Sequence, residues 1–498
     1  MFFIAVVLAA AAAVPDNAAA QNAALRQKIR QVESQLQQLR PSVAEGRRLA
    51  VDPVESFTKE RLESIAPKRQ VLLSFTNRVR LDFATTWVSH VRALGMSNWL
   101  IGATDQQALE GLRRAEYPCF NMKTNLPQGE WPWGSPSFKA LGPHKIELIY
   151  KSLLWGFEVV ITDIDALVLR EPFAYMARWP DAGFLTTSDH LANTTSDGGL
   201  ENHRGIHTAF NIGYMFFRKS ALPLVTEWRA SIKQNPTVKW DQGEFNRLAR
   251  TGWKPSRRDG LSDERLFWAY KQQVIGGVLP VSLFCGGHNY FVSQFAQRIG
   301  EIPYSIHTTF QYGGAAGKRH RLREAKVWID PPSYYNPPGG LLTYMPSVPH
   351  SLLHPAGGMD TNGHIALINH QLSQMKSALA LAKALDRILI LPSVVCGYDK
   401  AWFALAGGKD KGVFGGAPGW ALPIYNCPLD HFLEPGMLRP VQNVRPAAPS
   451  VGSDPLHVHV HVHVYGGRCI CVRSSRKAHL VYMRKHLPGA TLPARPLR

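Results

Sequence analysis

Residues 158–169 read EVVITDIDALVL. The β-branched run Val159, Val160, Ile161 predicts a buried strand, and two carboxylates, Asp163 and Asp165, follow it directly. If the strand continues through Leu169, residues two apart point the same way, so both carboxylates face one cation. An Asp-x-Asp tripeptide is common by chance and serves equally as a strand-end turn; its place at the end of an apolar strand favours the chemical reading.

Upstream, Ile146, Ile149, Tyr150, Leu153 and Leu154 lie on one face of a predicted helix that Gly156 stops. Before it, VLLSFTN (71–77), DFATTWVSHVRAL (82–94) and NWLIGATD (98–105) read as strand, helix and strand, a βαβ unit. Open parallel sheets bind ligands beyond the carboxyl ends of their strands. Thr76, Asn77, Asp105 and the Asp163–Asp165 pair should therefore meet at one cleft.

Downstream, AFNIGYMFFR (209–218) is strand-like with Asn211 at its mouth, where a carboxamide either bonds sugar hydroxyls or caps a turn. KWDQGEFNRLAR (239–250) puts Asp241 and Gln242 at a helix start, a position where Asp is commonly an N-cap. Further on, YSIHTTFQYGGAAGKRHRLREAKVW supplies His307, a Gly-Gly turn, then Lys318 and Arg319. An imidazole for a metal, glycines that admit backbone amides to phosphate oxygens, and a cation for the outer phosphate make a workable second half-site. His288, in CGGHNYF, rivals His307 as the ligand.

A nucleoside diphosphate that leaves a sugar accumulates negative charge, which a metal bridging its phosphates stabilises. Oxygen ligands favour Mg²⁺ or Mn²⁺, and a histidine tilts the choice to Mn²⁺.

At 498 residues the chain exceeds one ordinary domain, and its 45% hydrophobic content excludes wholesale disorder. We expect a signal anchor or signal peptide at 1–20, a stem or linker at 21–65 and a catalytic α/β domain at 66–330. A smaller α/β extension at 331–445 completes the folded part. The tail at 446–498, with its HVHVHVHV tract, is expected to be disordered or to be translated repeat or intron sequence. The apolar run MFFIAVVLAAAAAV is shorter than the roughly 20 residues a bilayer span needs. As a signal anchor it makes a type II membrane protein of the Golgi lumen; as a cleaved signal peptide it makes a secreted one. In the stem, Leu25, Ile29, Val32, Leu36 and Leu39 have helical spacing.

The formal charge of +19 suggests nucleic acid, but the last 53 residues carry eight Lys/Arg against one acid. The remaining cluster, Lys318, Arg319, Arg321 and Arg323, suits a diphosphate rather than a duplex, so no nucleic-acid partner is expected. Cys119, Cys285, Cys396 and Cys427 can form one or two disulfides in an oxidising compartment, with connectivity unreadable from sequence.

The stretches LLSFTN, DFATTWVSHVRALG, WGSPSF, TDIDALVL, FNIG, WDQGEFN, LPVSLFCGGHNYFV, IHTTFQYGGAAGKRHRLREA, DPPSYYNPPGG and CPLDHF, in this order, resemble glycosyltransferase family 77. The likeness is greatest to the plant and green-algal arabinosyltransferases of hydroxyproline-rich wall glycoproteins such as extensins, and it covers about residues 70–435. It implies a GT-A fold, a Rossmann-like mixed sheet with a metal-binding Asp-x-Asp motif, and a retaining reaction dependent on Mn²⁺ (or Mg²⁺). It further implies Asp163, Asp165 and His307 as metal ligands, with Lys318 on the diphosphate. Lys145 and Asn211 become donor contacts, and Asp241 and Gln242 face the donor sugar as catalytic candidates. The implied donor is UDP-L-arabinofuranose, and the acceptor an arabinosylated hydroxyproline glycoprotein at the Golgi membrane. A galactosyl- or xylosyltransferase of the same fold, or a non-catalytic carbohydrate-binding relative, are the competing readings.

Overall fold

The computed structural model describes residues 56–203, 208–255, 261–399 and 423–434, with strand fragments at 444–445, 457–460, 463–465 and 469–471. The expected anchor and residues 21–55 of the expected stem lie outside the described residues, whereas Lys59–Ile65 form a helix whose Leu62 is buried in the core, so the folded domain begins before the expected boundary at 66. Among the described residues, no helix is long and apolar enough to cross a membrane.

The first strands are β1 (Gln70–Thr76), β2 (Trp99–Ala103), β3 (Cys119–Asn121), β4 (Glu158–Thr162), β5 (Ala166–Val168) and β6 (Phe184–Ser188). After them come β7 (Phe210–Phe217), β8 (Lys254–Pro255), β9 (Phe267–Ala269), β10 (Val274–Val278), β11 (Phe284–Gly286) and β12 (Ser305–His307). Nine of these build one sheet in the order β3-β2-β1-β4-β7-β6-β10-β9-β8. Its first half is parallel, because helices Leu81–Ala93, Gln106–Arg114 and Gly142–Leu154 carry the chain back between strands. Beyond β4 the sheet is mixed, with β7 antiparallel to both β4 and β6.

Both faces are covered, which is why the strands read as apolar runs rather than alternating ones. Leu72 and Val160 join one core with Phe83 and Trp87. Val71, Leu73, Val159 and Ile161 join the other, with Ile146, Ile149, Trp228 and Phe245. Trp87 is buried but polar-satisfied, its indole N–H donating to Thr162 Oγ1 at 3.1 Å.

One expectation fails here. The strand opened by Glu158 does not run on to Leu169: it ends at Thr162, and β5 belongs to a separate three-stranded sheet of order β11-β12-β5. The Asp163 N–H donates to Gly213 O and the Ala166 N–H to Asp163 O, so Asp163-Ile164-Asp165 is a turn between two sheets. The alternation of a continuing strand is therefore not what brings the two carboxylates together.

The C-terminal part has its own core and a four-stranded parallel sheet. Its strands are β13 (Leu341–Tyr344), β14 (Ile388–Ile390), β17 (Val444–Arg445) and β18 (His457–Val460), packed with helix Thr361–Ala384. Between β14 and β17, strands β15 (Val394–Cys396) and β16 (Ile424–Cys427) form a pair closed by the disulfide Cys396–Cys427. Cys119 and Cys285 are buried free thiols. Of the tail expected to lack fold, the described fragments are three short strands, one of which, β18, takes the HVHV segment alongside β13.

Candidate active site

The register of the small sheet assembles the site. β12 runs antiparallel to β5 with His307 opposite Ala166, which sets the imidazole beside the turn that carries both aspartates. His307 Nε2 lies 3.9 Å from Asp163 Oδ2 and 3.8 Å from Asp165 Oδ1. Thr308 fastens the strand to the turn, its N–H donating to Asp165 O at 3.2 Å and its hydroxyl to Asp165 Oδ2 at 3.0 Å. Behind the ring is Gly213 of β7: a methyl there would lie 2.5 Å from His307 Nδ1 and 2.8 Å from Nε2. Glycine is needed at that position because the imidazole occupies the space a side chain would take.

One ligand atom from each of Asp163, Asp165 and His307 falls within 4.8 Å of the others. Two ligands of one small divalent ion sit roughly 3–4 Å apart, given metal–ligand bonds of about 2.1 Å, so this donor set fits a cation. Asp163 is one-third exposed whereas Asp165 and His307 are buried, so the site opens to solvent on the Asp163 side. Burial lowers the His307 imidazole against the pull of Asp165 and Asp163, leaving it neutral and able to donate a lone pair. His288, the rival candidate, is elsewhere: its Nε2 is 2.9 Å from Asp399 Oδ2 in the C-terminal part.

Each carboxylate also has a lysine. Lys145, on helix Gly142–Leu154, donates to Asp163 Oδ1 at 2.7 Å and to Ile212 O at 2.6 Å. It is buried beneath the aspartate and so holds a ligand in place. Lys318 pairs with Asp165 Oδ2 and is more open. Burial alone would raise the Asp165 carboxyl, but Lys318, with His307, takes it well below the usual carboxylate range. The cationic cluster read from sequence divides on the helix Gly314–Glu324, where successive residues face different ways. Arg319 pairs with Asp82, Arg321 with buried Asp430 and Arg323 with Asp330, which leaves Lys318 as the member beside the aspartate turn. That helix begins after Gly313, whose φ of +80° is the left-handed turn the Gly-Gly pair allows.

A second group of polar residues lies beside the aspartate turn. Asn211 Nδ2 donates to Asp189 Oδ1 at 2.8 Å, and Gln242 Nε2 donates to Asp189 Oδ2 at 3.2 Å. Asp189 thus orients two residues that the sequence singled out, though the sequence reading missed it. The only signal was its place directly after FLTTS, a buried strand that its three hydroxyl residues disguise in sequence. Burial raises its carboxyl, against Asn211 and His307. Asp241 is the first residue of helix Asp241–Ala249, not its cap, which is Trp240. Burial, opposed by Lys145 and assisted by Asp163, pushes the Asp241 carboxyl up to about 6. Gly142 packs against it; a Cβ there would lie 2.8 Å from Asp241 Cβ.

The remaining residues sit at the ends of β1 and β2. Thr76 donates to Arg80 O, and Asn77 Nδ2 donates to Gly129 O at 2.9 Å. Asn77 Oδ1 is buried without a partner, an acceptor that a ligand N–H or O–H would satisfy. Asp105 accepts from Ala108 N at 2.7 Å and from Arg78 N at 2.9 Å, so both its oxygens serve local backbone.

Residues 94–322 match the nucleotide-diphospho-sugar transferase family. Arabinosyltransferase XEG113 of Arabidopsis thaliana is 40% identical over 386 residues, covering 77% of this chain and 58% of the relative. Arabinosyltransferase RRA2 of the same plant is 22% identical over 197 residues, covering 37% of this chain and 45% of the relative. The chain thus spans about half the length of the curated relatives it matches. A solved glycosyltransferase involved in glycosylation of the major capsid of PBCV-1 aligns with TM-score 0.30 and 13% identity, covering 51% of this chain and 98% of that one. Over residues 94–322 the chain is thus similar to the nucleotide-diphospho-sugar transferases, and over most of its length to a plant arabinosyltransferase.

Proposed function

We propose that the chain is a retaining, Mn²⁺-dependent Golgi glycosyltransferase that moves L-arabinofuranose from UDP-L-arabinofuranose to arabinosylated hydroxyproline of extensin-like glycoproteins. The observation that carries this is the convergence of Asp163, Asp165 and His307 beside Lys318. A divalent ion bound there stabilises, as a Lewis acid, the charge that gathers on a departing diphosphate. Lys318 adds a second positive charge for the same oxygens. The buried acceptor Asn77 Oδ1 suits a donor group of the nucleoside. Asn211, Gln242 and Asp241 face the transferred sugar, with Asp189 orienting the two amides. The Cys396–Cys427 bridge supports an oxidising, lumenal compartment.

On this reading the acceptor oxygen bonds to the anomeric carbon on the face from which the diphosphate leaves. The carbon–oxygen bond to UDP breaks, its electron pair stays with UDP, and the hydroxyl proton passes to a diphosphate oxygen. Asp241 stays mostly ionised at pH 7 and stabilises positive charge on the ring. Asp241→Asn should then lower turnover without any trapped glycosyl-enzyme by mass spectrometry; an adduct at Asp241 would make it the nucleophile instead.

The direct test is UDP release by the purified chain from a panel of UDP-sugars, with and without Mn²⁺. Arabinofuranose should be preferred; preference for galactose or xylose would move the donor assignment. Absence of turnover with every donor, alongside ligand binding that survives Asp163→Ala, would leave a carbohydrate-binding relative.

A further inference from the structure

Exposure rises outward from Asp241. Asp241 is 9% exposed, Trp240 before it is half-buried, and Trp133 is 72% exposed. The two indoles meet edge to face, with centroids 5.6 Å apart and planes at 81°. The loop that carries Trp133 is fastened rather than free-swinging. Thr124 donates to Thr104 O at 2.6 Å, Asn77 to Gly129 O at 2.9 Å and the Trp131 indole to Pro127 O at 2.8 Å. At its far end the chain enters helix Gly142–Leu154, whose first residue packs on Asp241. Loop, helix start and Trp240 thus lie together beside Asp241, with the two indoles as an aromatic rim.

A tryptophan this exposed leaves a large apolar face in water, and such faces beside a cleft mark ligand contacts. The charged end of the donor is accounted for by Lys318 and the aspartate turn. What crosses the rim next to Asp241 is therefore the group that receives the sugar. A sugar ring has one face of C–H bonds that rests on an indole and a rim of hydroxyls left free to react, so its chemistry fits both the platform and the step.

We propose that Trp133, steadied by its edge-to-face contact with Trp240, is the stacking platform for the acceptor's sugar ring, the ring that bears the attacked hydroxyl. This rests on the transferase reading above and deepens it by assigning the acceptor subsite. The test uses the full chain with UDP-L-arabinofuranose and an arabinosylated hydroxyproline oligopeptide. Trp133→Ala should raise the acceptor KM about tenfold while the donor KM moves less than about twofold, and Trp133→Phe should recover most of the loss. An unchanged acceptor KM, or donor and acceptor constants rising together, would overturn the platform. If the wild-type chain transfers nothing, the transferase reading fails, yet the platform is still decided by fluorescence titration with the same oligopeptide. Quenching that Trp133→Ala abolishes supports it; quenching retained in that variant, none at all, or an equal response to the unglycosylated peptide, which would mark a polypeptide site, defeats it.

Discussion

Asp163 and Asp165 lie two apart in sequence but are held differently, one over a buried lysine and the other beside an open one. Lys145 cannot leave without stranding a buried ammonium, so it is part of the scaffold of the metal turn. Lys318 can exchange its carboxylate for a ligand's phosphate, since it is one-fifth exposed. Lys318→Ala should therefore weaken UDP binding about tenfold while Mn²⁺ binds the ligand-free protein as tightly or more tightly, because a competing cation is gone. Isothermal titration of each ligand separates the two effects. At this scale the sequence singled out Asp163, Asp165 and His307, which the fold brings within 4.8 Å of one another, but residue type alone left His288 a rival to His307. It was misleading for the arginines, whose partners Asp82, Asp430 and Asp330 lie on other elements. An aspartate after a strand reads alike at 105 and 189, yet one caps a helix and the other orients Asn211 and Gln242.

The break between β4 and β5 was not legible, because Ala166-Leu167-Val168 is as apolar as the run before it. Only the partner strand β12 reveals that the chain has changed sheets. Gly213 is equally silent in sequence, where FNIG reads as an ordinary strand. Gly213→Ala should push His307 off the aspartates and weaken Mn²⁺ binding about tenfold or more while the protein remains folded. Circular dichroism and metal titration on the same sample check both halves. The β15–β16 pair carries Asp399 beyond one strand and Asp430 beyond the other, and Asp430 accepts from Tyr312 N on the loop that leads to Lys318. Cys396→Ser should cost about 4 kcal/mol in urea denaturation, the loop-closure value for a separation of 31 residues.

For the molecule as a whole, the βαβ texture was readable because buried parallel strands announce themselves. How the C-terminal part joins the preceding domain was not readable, since besides Val292, which enters the C-terminal core, the contact is made by polar pairs from distant segments such as Arg321–Asp430 and His288–Asp399. Glu324 accepts from Leu429 N at 2.9 Å, and burial raises its carboxyl to about 8, although that N–H and Arg321 pull it down. The folded chain thus keeps a proton that the unfolded chain releases near pH 4.5, so stability falls as pH rises from there to about 8. His320, lowered by burial to about 4, acts oppositely, costing stability as pH falls below 6.5. Glu324→Gln should remove the loss above pH 4.5; with the carboxyl one-fifth exposed, unfolding free energies from urea titrations at about pH 5 and 8 should differ by ~1–2 kcal/mol less than in wild type.

The pairing of β5 with β12 has a further consequence for synthesis. The two aspartates leave the ribosome long before His307, so an emerging polypeptide holds an incomplete claw until the last strand of that small sheet arrives. For the divalent ion proposed above, a chain truncated before Ser305 would carry both acids yet lack the imidazole, and should fail to retain the ion.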